Sequence, residues 1–253
     1  MEIYYTIISF IFGITLGSFY NVVGYRLPRE QSLITPSSHC TSCNHKLNII
    51  DLFPVFSFLL LGGKCRYCKQ KISWFYPIFE LTTGILFALA YIVFGHSINF
   101  LISIVLISML LIIIISDYQT MIIPDELLIF SGILLMILIG IKSGIIGLLY
   151  SIGNGLLAFA VMYLIKKLGD FLFKKESMGG GDIKLMFIFG LVMGLPMTLI
   201  SIFIASFIGL PVSLYILYRK KEHEIPFGPF LAVAAIIINL TQLNIDKIIQ
   251  LLY

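Results

Sequence analysis

Long uncharged apolar runs, rather than any alternation of apolar and polar positions, organise this chain. Residues 97–116 hold twenty positions without a charge, enough for a helix to cross a hydrocarbon layer of about 30 Å. Barrel strands would alternate in hydrophobicity, and these runs do not. Lipid offers the backbone no hydrogen bonds, so each run must be helical. The pattern predicts an all-α polytopic transmembrane bundle of about eight spans: 3–23, 76–94, 97–116, 127–141, 145–165, 183–193, 197–218 and 227–243. Residues 185–218 are uncharged for 34 positions, too long for one span, and Gly194 and Pro196 mark the expected break. The segment 183–193 would rise only about 17 Å, so it either crosses incompletely or starts before Asp182. No basic stretch precedes 3–23 and Glu2 stands where a cation would introduce a cleavable signal, so this run is expected to be a retained first span.

Composition sharpens the class. Of 253 residues, 59% are hydrophobic and 12% charged, with a mean hydropathy of +1.02; soluble domains average about 25% charged. A water-soluble core of this length cannot hide that much apolar surface. The net charge of +4 conceals an uneven distribution. With the N-terminus outside and the spans alternating, fifteen of the seventeen basic residues fall in inside loops and only Lys142 and Lys247 outside. Basic loops stay cytoplasmic, which places both termini outside.

All four cysteines lie between the first two spans, as Cys40-x2-Cys43 and Cys65-x2-Cys68. The pairs sit in a short repeat, Cys40-Thr-Ser-Cys43-Asn-His-Lys46-Leu47 beside Cys65-Arg-Tyr-Cys68-Lys-Gln-Lys71-Ile72. Two such knuckles can present four thiolates to structural zinc, and a cytosolic location disfavours disulfides. Four reduced thiols without a metal, or disulfides under an inverted topology, are the other readings. His39 and His45 are expected to be surface residues rather than ligands.

Acidic residues are few, so their positions matter. Asp117 ends the third span, at the helix end where a carboxylate opposes the macrodipole. Asp125, in Pro124-Asp125-Glu126, is equally explained as a helix-start residue. Asp182 follows Gly179-Gly180-Gly181, a flexible approach that suggests close backbone contact with something; its other reading is a helix cap. The lack of a Gly-Lys-Ser/Thr ending argues against a nucleotide loop. Asp117 and Asp182 fall on the same boundary. Two neighbouring carboxylates in low-dielectric surroundings share one proton and can activate a water between them for amide hydrolysis. Glu80 is a further polar candidate, or an interfacial residue facing headgroups.

These motifs resemble the bacterial type IV prepilin peptidases, also called type 4 prepilin-like leader peptidases. The resemblance rests on Gly17-Ser18-Phe19-x-Asn21-Val22-Val23-x-x-Arg26-Leu27-Pro28, the two cysteine pairs, and Tyr76-Pro77-x-x-Glu80. It continues through Asp117-x6-Pro124-Asp125, Gly179-x-Gly181-Asp182-x-Lys184 and Pro226-Phe227-Gly228-Pro229-Phe230, in family order from residue 17 to 230. It implies a GxGD-type aspartic endopeptidase of the cytoplasmic membrane that removes the basic leader of prepilins or pseudopilins after a glycine, at the cytoplasmic face. Many members also N-methylate the new N-terminus with S-adenosylmethionine. By motif position the catalytic pair maps onto Asp117 and Asp182, with Gly179, Gly181, Asp125 and Lys184 supporting. Methyl transfer would belong with residues 1–75 and cleavage with 76–253. Structural zinc at Cys40, Cys43, Cys65 and Cys68, prepilin or pseudopilin substrates and a lipid bilayer are the expected partners, with no nucleic acid. A presenilin-like intramembrane protease shares the GxGD aspartate but not the N-terminal block or the cysteines. A proton-coupled transporter would place its charges mid-span or show an inverted repeat.

Overall fold

The computed structural model describes residues 2–176, 178–220, 225–244, 247, 249 and 250, without the side chains of 217, 219 and 220. The basic cluster at Arg219, Lys220 and Lys221 therefore has no described side chain, and Lys221 lies outside the described residues. The chain forms two compact units, Met1–His96 and Ser97–Tyr253. Every regular element among the described residues is helical; two isolated bridges, His39↔Lys46 and Lys64↔Lys71, are the only β-type pairings.

The first unit contains α1 (Glu2–Arg26), a 3-10 turn at Leu27–Arg29, a loop carrying the short α2 (Phe56–Leu60), and α3 (Phe75–Phe94). Its apolar helices run antiparallel: Tyr5 meets Tyr91 and His96, Gly13 meets Gly84, and Gly17 meets Glu80. Small residues let the backbones touch, as at many helix contacts in membranes. A Cβ on Gly13 would lie 2.8 Å from the Gly84 Cα. This packing joins the second apolar helix to the first, and the unit runs to His96.

The second unit contains α4 (Ile98–Thr120), α5 (Asp125–Phe173), α6 (Gly180–Lys220) and α7 (Gly228–Thr241). Helix α4 packs on α5 and α7, and α6 packs on α5 and α7. Leu106, Ile107, Leu110, Ile113 and Ile115 of α4 are fully buried, as are Leu185, Met186 and Phe189 of α6. Both long helices are broken. In α5 the break is Gly144, at φ 69° and ψ −176°. In α6 it is Gly194, at φ 77° and ψ 162°, with Pro196 opening the next helical turn. The break frees the Leu195 amide from an intrahelical partner; it donates instead to Asn154 Oδ1 on α5 at 3.3 Å.

The break at Gly194 falls where the sequence places it, and the break at Gly144 lies between the expected spans 127–141 and 145–165. The first part of α6 begins at Gly180, before Asp182, which lengthens it to about 21 Å at 1.5 Å per residue. The second part of α5 continues past residue 165 to Phe173 and takes Lys166 into the helix; Lys166 pairs with Glu176 at 2.9 Å. Among the described residues, five helices are long and apolar enough to cross a membrane. Their outer faces carry exposed large side chains such as Ile3, Ile146, Tyr150, Phe171 and Phe207. An apolar surface this extensive needs a cover, and a bilayer supplies it.

Candidate active site and metal centre

In the second unit, the end of α4 and the starts of α6 and α7 converge. Helix α4 stops at Met121, in the left-handed region at φ 55°, whose amide bonds the Asp117 carbonyl at 2.9 Å. Pro124, with an extended backbone, then begins α5 after only a short turn. Asp117 thus sits one turn before the helix end. It is 5% exposed, and the Gly228 amide at the start of α7 donates to its Oδ2 at 2.9 Å. Asp182, half-buried in the first turn of α6, lies near enough to Asp117 for direct charge–charge interaction.

Glycine makes this convergence possible. A Cβ on Gly181 would come within 2.8 Å of the Ile123 Cβ, and one on Gly228 within 2.6 Å of Asp117 Oδ2 and 3.4 Å of Ile123 Cδ1. Ile123, in the α4–α5 turn, is therefore held between the starts of α6 and α7. Of the three successive glycines, Gly181 makes the close approach expected of the triplet. Gly180 faces open space, and the nearest atom to a Cβ on Gly179 is Asp182 Oδ2 at an ordinary 3.7 Å.

Asp125 is the first residue of α5, and the cap position before it is Pro124. Its carboxylate receives Lys184 Nζ of α6 at 2.7 and 2.6 Å. Both side chains are about half exposed. The two supporting residues therefore tie the starts of α5 and α6 together beside the aspartates. Gly228 and Ile123 were not singled out from the sequence as site residues. The Pro226-Phe227-Gly228-Pro229-Phe230 motif was the available signal.

In the first unit the two cysteine knuckles have the same backbone hydrogen bonds. Cys40 N–H bonds the His45 carbonyl and Asn44 N–H the Cys40 carbonyl; Cys65 N–H bonds Gln70 and Lys69 N–H bonds Cys65. Leu47 to Ser38 and Ile72 to Gly63 complete the correspondence. Asn44 and Lys69 share a positive φ, 56° and 60°. The four Sγ atoms lie within 4.8 Å of one another, and Cys40 and Cys68 are 3.8 Å apart. A tetrahedron with Zn–S of about 2.3 Å has edges of about 3.8 Å, so this donor set fits a zinc ion. The amides of Cys43 and Ser42 pull Cys40 down to about 6. The Gln70 amide pulls on Cys68, but burial and the other three thiols outweigh it and push Cys68 up to about 11.

Neither histidine joins this set: His39 contacts the Ser37 carbonyl, and His45 packs on Tyr67 at 3.6 Å between ring centres. Asp51 binds Arg66 at 2.6 Å, the Tyr67 hydroxyl and the Asn48 amide. Burial pushes its carboxyl up, but these donors outweigh it and hold it below its ordinary value.

Glu80 does not face the headgroups. It is 8% exposed, its Oε2 accepts the Val55 amide at 2.8 Å, and its carboxylate also accepts a bond from the Ser18 side chain. Val55 has a φ of 62°, rare for a β-branched residue, and this amide bond helps to hold it there.

Two family models match the chain: Bacterial Peptidase A24 N-terminal domain over residues 11–94 and Type IV leader peptidase family over residues 104–214. The chain is 38% identical over 239 residues to a prepilin leader peptidase/N-methyltransferase of Bacillus subtilis (strain 168), covering 91% of this chain and 92% of that one. Proteins of the same description from Neisseria gonorrhoeae and Pseudomonas putida are 30% and 28% identical, over 90% and 91% of this chain and 87% and 88% of theirs. No solved structure matches.

Proposed function

The chain belongs to the type IV leader peptidase family, and from that premise we propose that it removes the leader of type IV prepilins or pseudopilins and N-methylates the new N-terminus. It is a multi-pass membrane protein. Cleavage follows a glycine at the cytoplasmic face of the cytoplasmic membrane, with both termini outside. The placement of fifteen of seventeen basic residues in inside loops supports that orientation.

What supports the peptidase reading is that Asp117 of α4 and Asp182 of α6 lie near enough for their charges to interact, where Gly181 and Gly228 let the starts of α6 and α7 approach Ile123 and Asp117. The Gly228 amide engages Asp117 Oδ2 and leaves Oδ1 as the oxygen for a reacting water. Two close carboxylates do not both ionise readily, so the pair works with one shared proton. The ionised member takes a proton from water as the water oxygen bonds to the scissile carbonyl carbon. The protonated member gives its proton to the carbonyl oxygen. The member that took the water's proton then gives it to the amide nitrogen as the C–N bond breaks, and the other takes a hydroxyl proton from the collapsing diol, which restores the shared proton without a covalent enzyme intermediate. Gly181, Gly228 and the Asp125–Lys184 pair position the two aspartates.

Methyl transfer is assigned to residues 1–75 together with the start of α3 that packs on them, and cleavage to the second unit, within which both aspartates lie. When bound, S-adenosylmethionine supplies an electrophilic methyl group on sulfur, and the amine exposed by cleavage is the nucleophile. Cys40, Cys43, Cys65 and Cys68 would hold zinc, whose binding free energy orders the first loop.

Detergent-purified protein incubated with a pilin-like precursor tests both activities, read as leader loss and as methylated N-terminus. Asp117→Asn and Asp182→Asn should each abolish cleavage, and the double variant should be no worse, because such groups act as one unit. Robust cleavage by either single variant removes that residue from the pair.

A further inference from the structure

The first unit forms a cavity of about 1000 Å³, partly open to the surface and walled by the end of α1, the cysteine loop and the start of α3. That volume is at the upper end for small-molecule sites. Its wall contains a polar arrangement left incomplete by the protein. Asn21 is 6% exposed; its Nδ2 bonds the Gly17 carbonyl at 3.1 Å, while its Oδ1 is buried with no partner. Glu80 shares the wall. Its donors are the neutral Val55 amide and Ser18, and no cation pairs with it among the described residues. Asp51, the other acid on the wall, is already paired with Arg66.

Buried acceptors without donors cost free energy, and a buried carboxylate calls for a positive partner. A ligand that satisfies Asn21 Oδ1 and Glu80 together must present N–H donors and positive charge. Arg26 stands in the same wall, where a guanidinium suits a carboxylate, and so does the Tyr76 ring, where a flat base can pack. Acceptors for a cation, an arginine for a carboxylate and an aromatic face together match a positively charged nucleoside amino acid.

We propose that this cavity is the S-adenosylmethionine site, with Asn21 Oδ1 and the Glu80 carboxylate receiving the ligand's cationic amino-acid end. The assignment rests on the N-methyltransferase reading above, and it gives that reading a place and residues. It also gives Glu80 a role that the cleavage chemistry does not use. The four-cysteine centre borders the cavity through Cys40 and Cys65, so metal binding would shape the wall as well as order the loop.

Equilibrium dialysis of the full-length protein in detergent, using S-adenosylmethionine labelled in its methyl group, tests the assignment without requiring turnover. Wild-type protein should bind saturably. Glu80→Gln and Asn21→Leu should each bind about tenfold or more weakly, the size expected for losing a hydrogen bond to a charged group. Ultraviolet cross-linking of the same ligand to wild-type protein should place the label within residues 18–80, which keeps the test decisive if a variant misfolds. Absence of wild-type binding would remove the N-methyltransferase reading and the assignment with it. Saturable binding with the label outside residues 18–80, or with both variants unaffected, would overturn the assignment alone. A peptide with a free phenylalanine N-terminus that displaces S-adenosylmethionine would make the cavity the amine's site, and would also overturn it.

Discussion

The Gly228 amide reaches Asp117 Oδ2 at 2.9 Å across 111 positions of chain. One glycine thereby ties the start of α7 to a proposed catalytic carboxylate on α4. Its lack of a side chain matters as much as its amide, because a Cβ there would stand 2.6 Å from Oδ2 and 3.2 Å from Cγ.

Gly228→Ala should therefore displace Asp117 while leaving the helices inserted. A shift of about 1 Å at reacting groups can cost about a hundredfold, so kcat/KM for leader cleavage should fall by at least tenfold. Gly180→Ala serves as the comparison, since a Cβ at that position meets nothing within 4 Å. Cleavage close to wild type is expected there. Equal activity of the two variants at matched expression would show that crowding at Asp117 is unimportant.

The bidentate contact between Asp125 and Lys184 is exposed. Pairs of this kind contribute up to about 1 kcal/mol, so Asp125→Asn should slow cleavage several-fold without abolishing it. The swap of Asp125→Lys with Lys184→Asp should recover more activity than either single change. Complete loss with Asp125→Asn, while Asp117→Asn still cleaves, would move the catalytic assignment to Asp125.

Local pattern accounts for what the sequence made legible. Uncharged runs located the apolar helices, and Gly194 with Pro196 marked the break in α6 because positive φ and a missing amide are local properties. The knuckle repeat was visible in residues 40–47 and 65–72 and reappears bond for bond. Asp117 stood out because a carboxylate at a helix C-terminus has no local excuse. The missing parts were contacts between distant positions. Asp125 could be explained by its own helix start, which concealed Lys184 59 positions away. Glu80 could be read as an interfacial residue because nothing near it in sequence announces the Val55 amide. Asn21 lay inside a recognised motif, yet only packing shows that its Oδ1 is buried and unpartnered.

Metal binding should follow the protonation of the cysteine cluster. Cys40 is held at about 6 and is mostly thiolate at pH 7, whereas Cys68, at about 11, is a thiol whose proton the metal must displace. Acidification protonates Cys40 as well and strengthens proton competition. Zinc affinity should therefore rise with pH, and more steeply below about pH 6, where the metal must also displace the Cys40 proton, than above it. One zinc per chain is expected by elemental analysis, with competition against a chromophoric chelator giving the pH series. A metal-free preparation whose four thiols all titrate, or an affinity that increases on acidification, would count against the site.

The topology can be tested within the second unit. Lys142 lies just before the break at Gly144, and Lys174 follows the last residue of α5. The helix between them, residues 145–173, is about 43 Å long at 1.5 Å per residue, longer than a hydrocarbon layer of about 30 Å. If it crosses the membrane, its ends must open to opposite sides. The charge distribution assigns Lys142 to the outside and Lys174, with Lys166, Lys167 and Lys175, to the cytoplasm. With the native cysteines replaced by alanine, Lys142→Cys should react in intact cells with a maleimide that cannot cross the membrane. Lys174→Cys should react only after permeabilisation. The reverse pattern would put the Asp117–Asp182 boundary outside, away from a cytoplasmic leader, and would also remove the reducing environment that favours zinc over disulfides. Labelling of both positions in intact cells would mean that residues 145–173 do not span the bilayer.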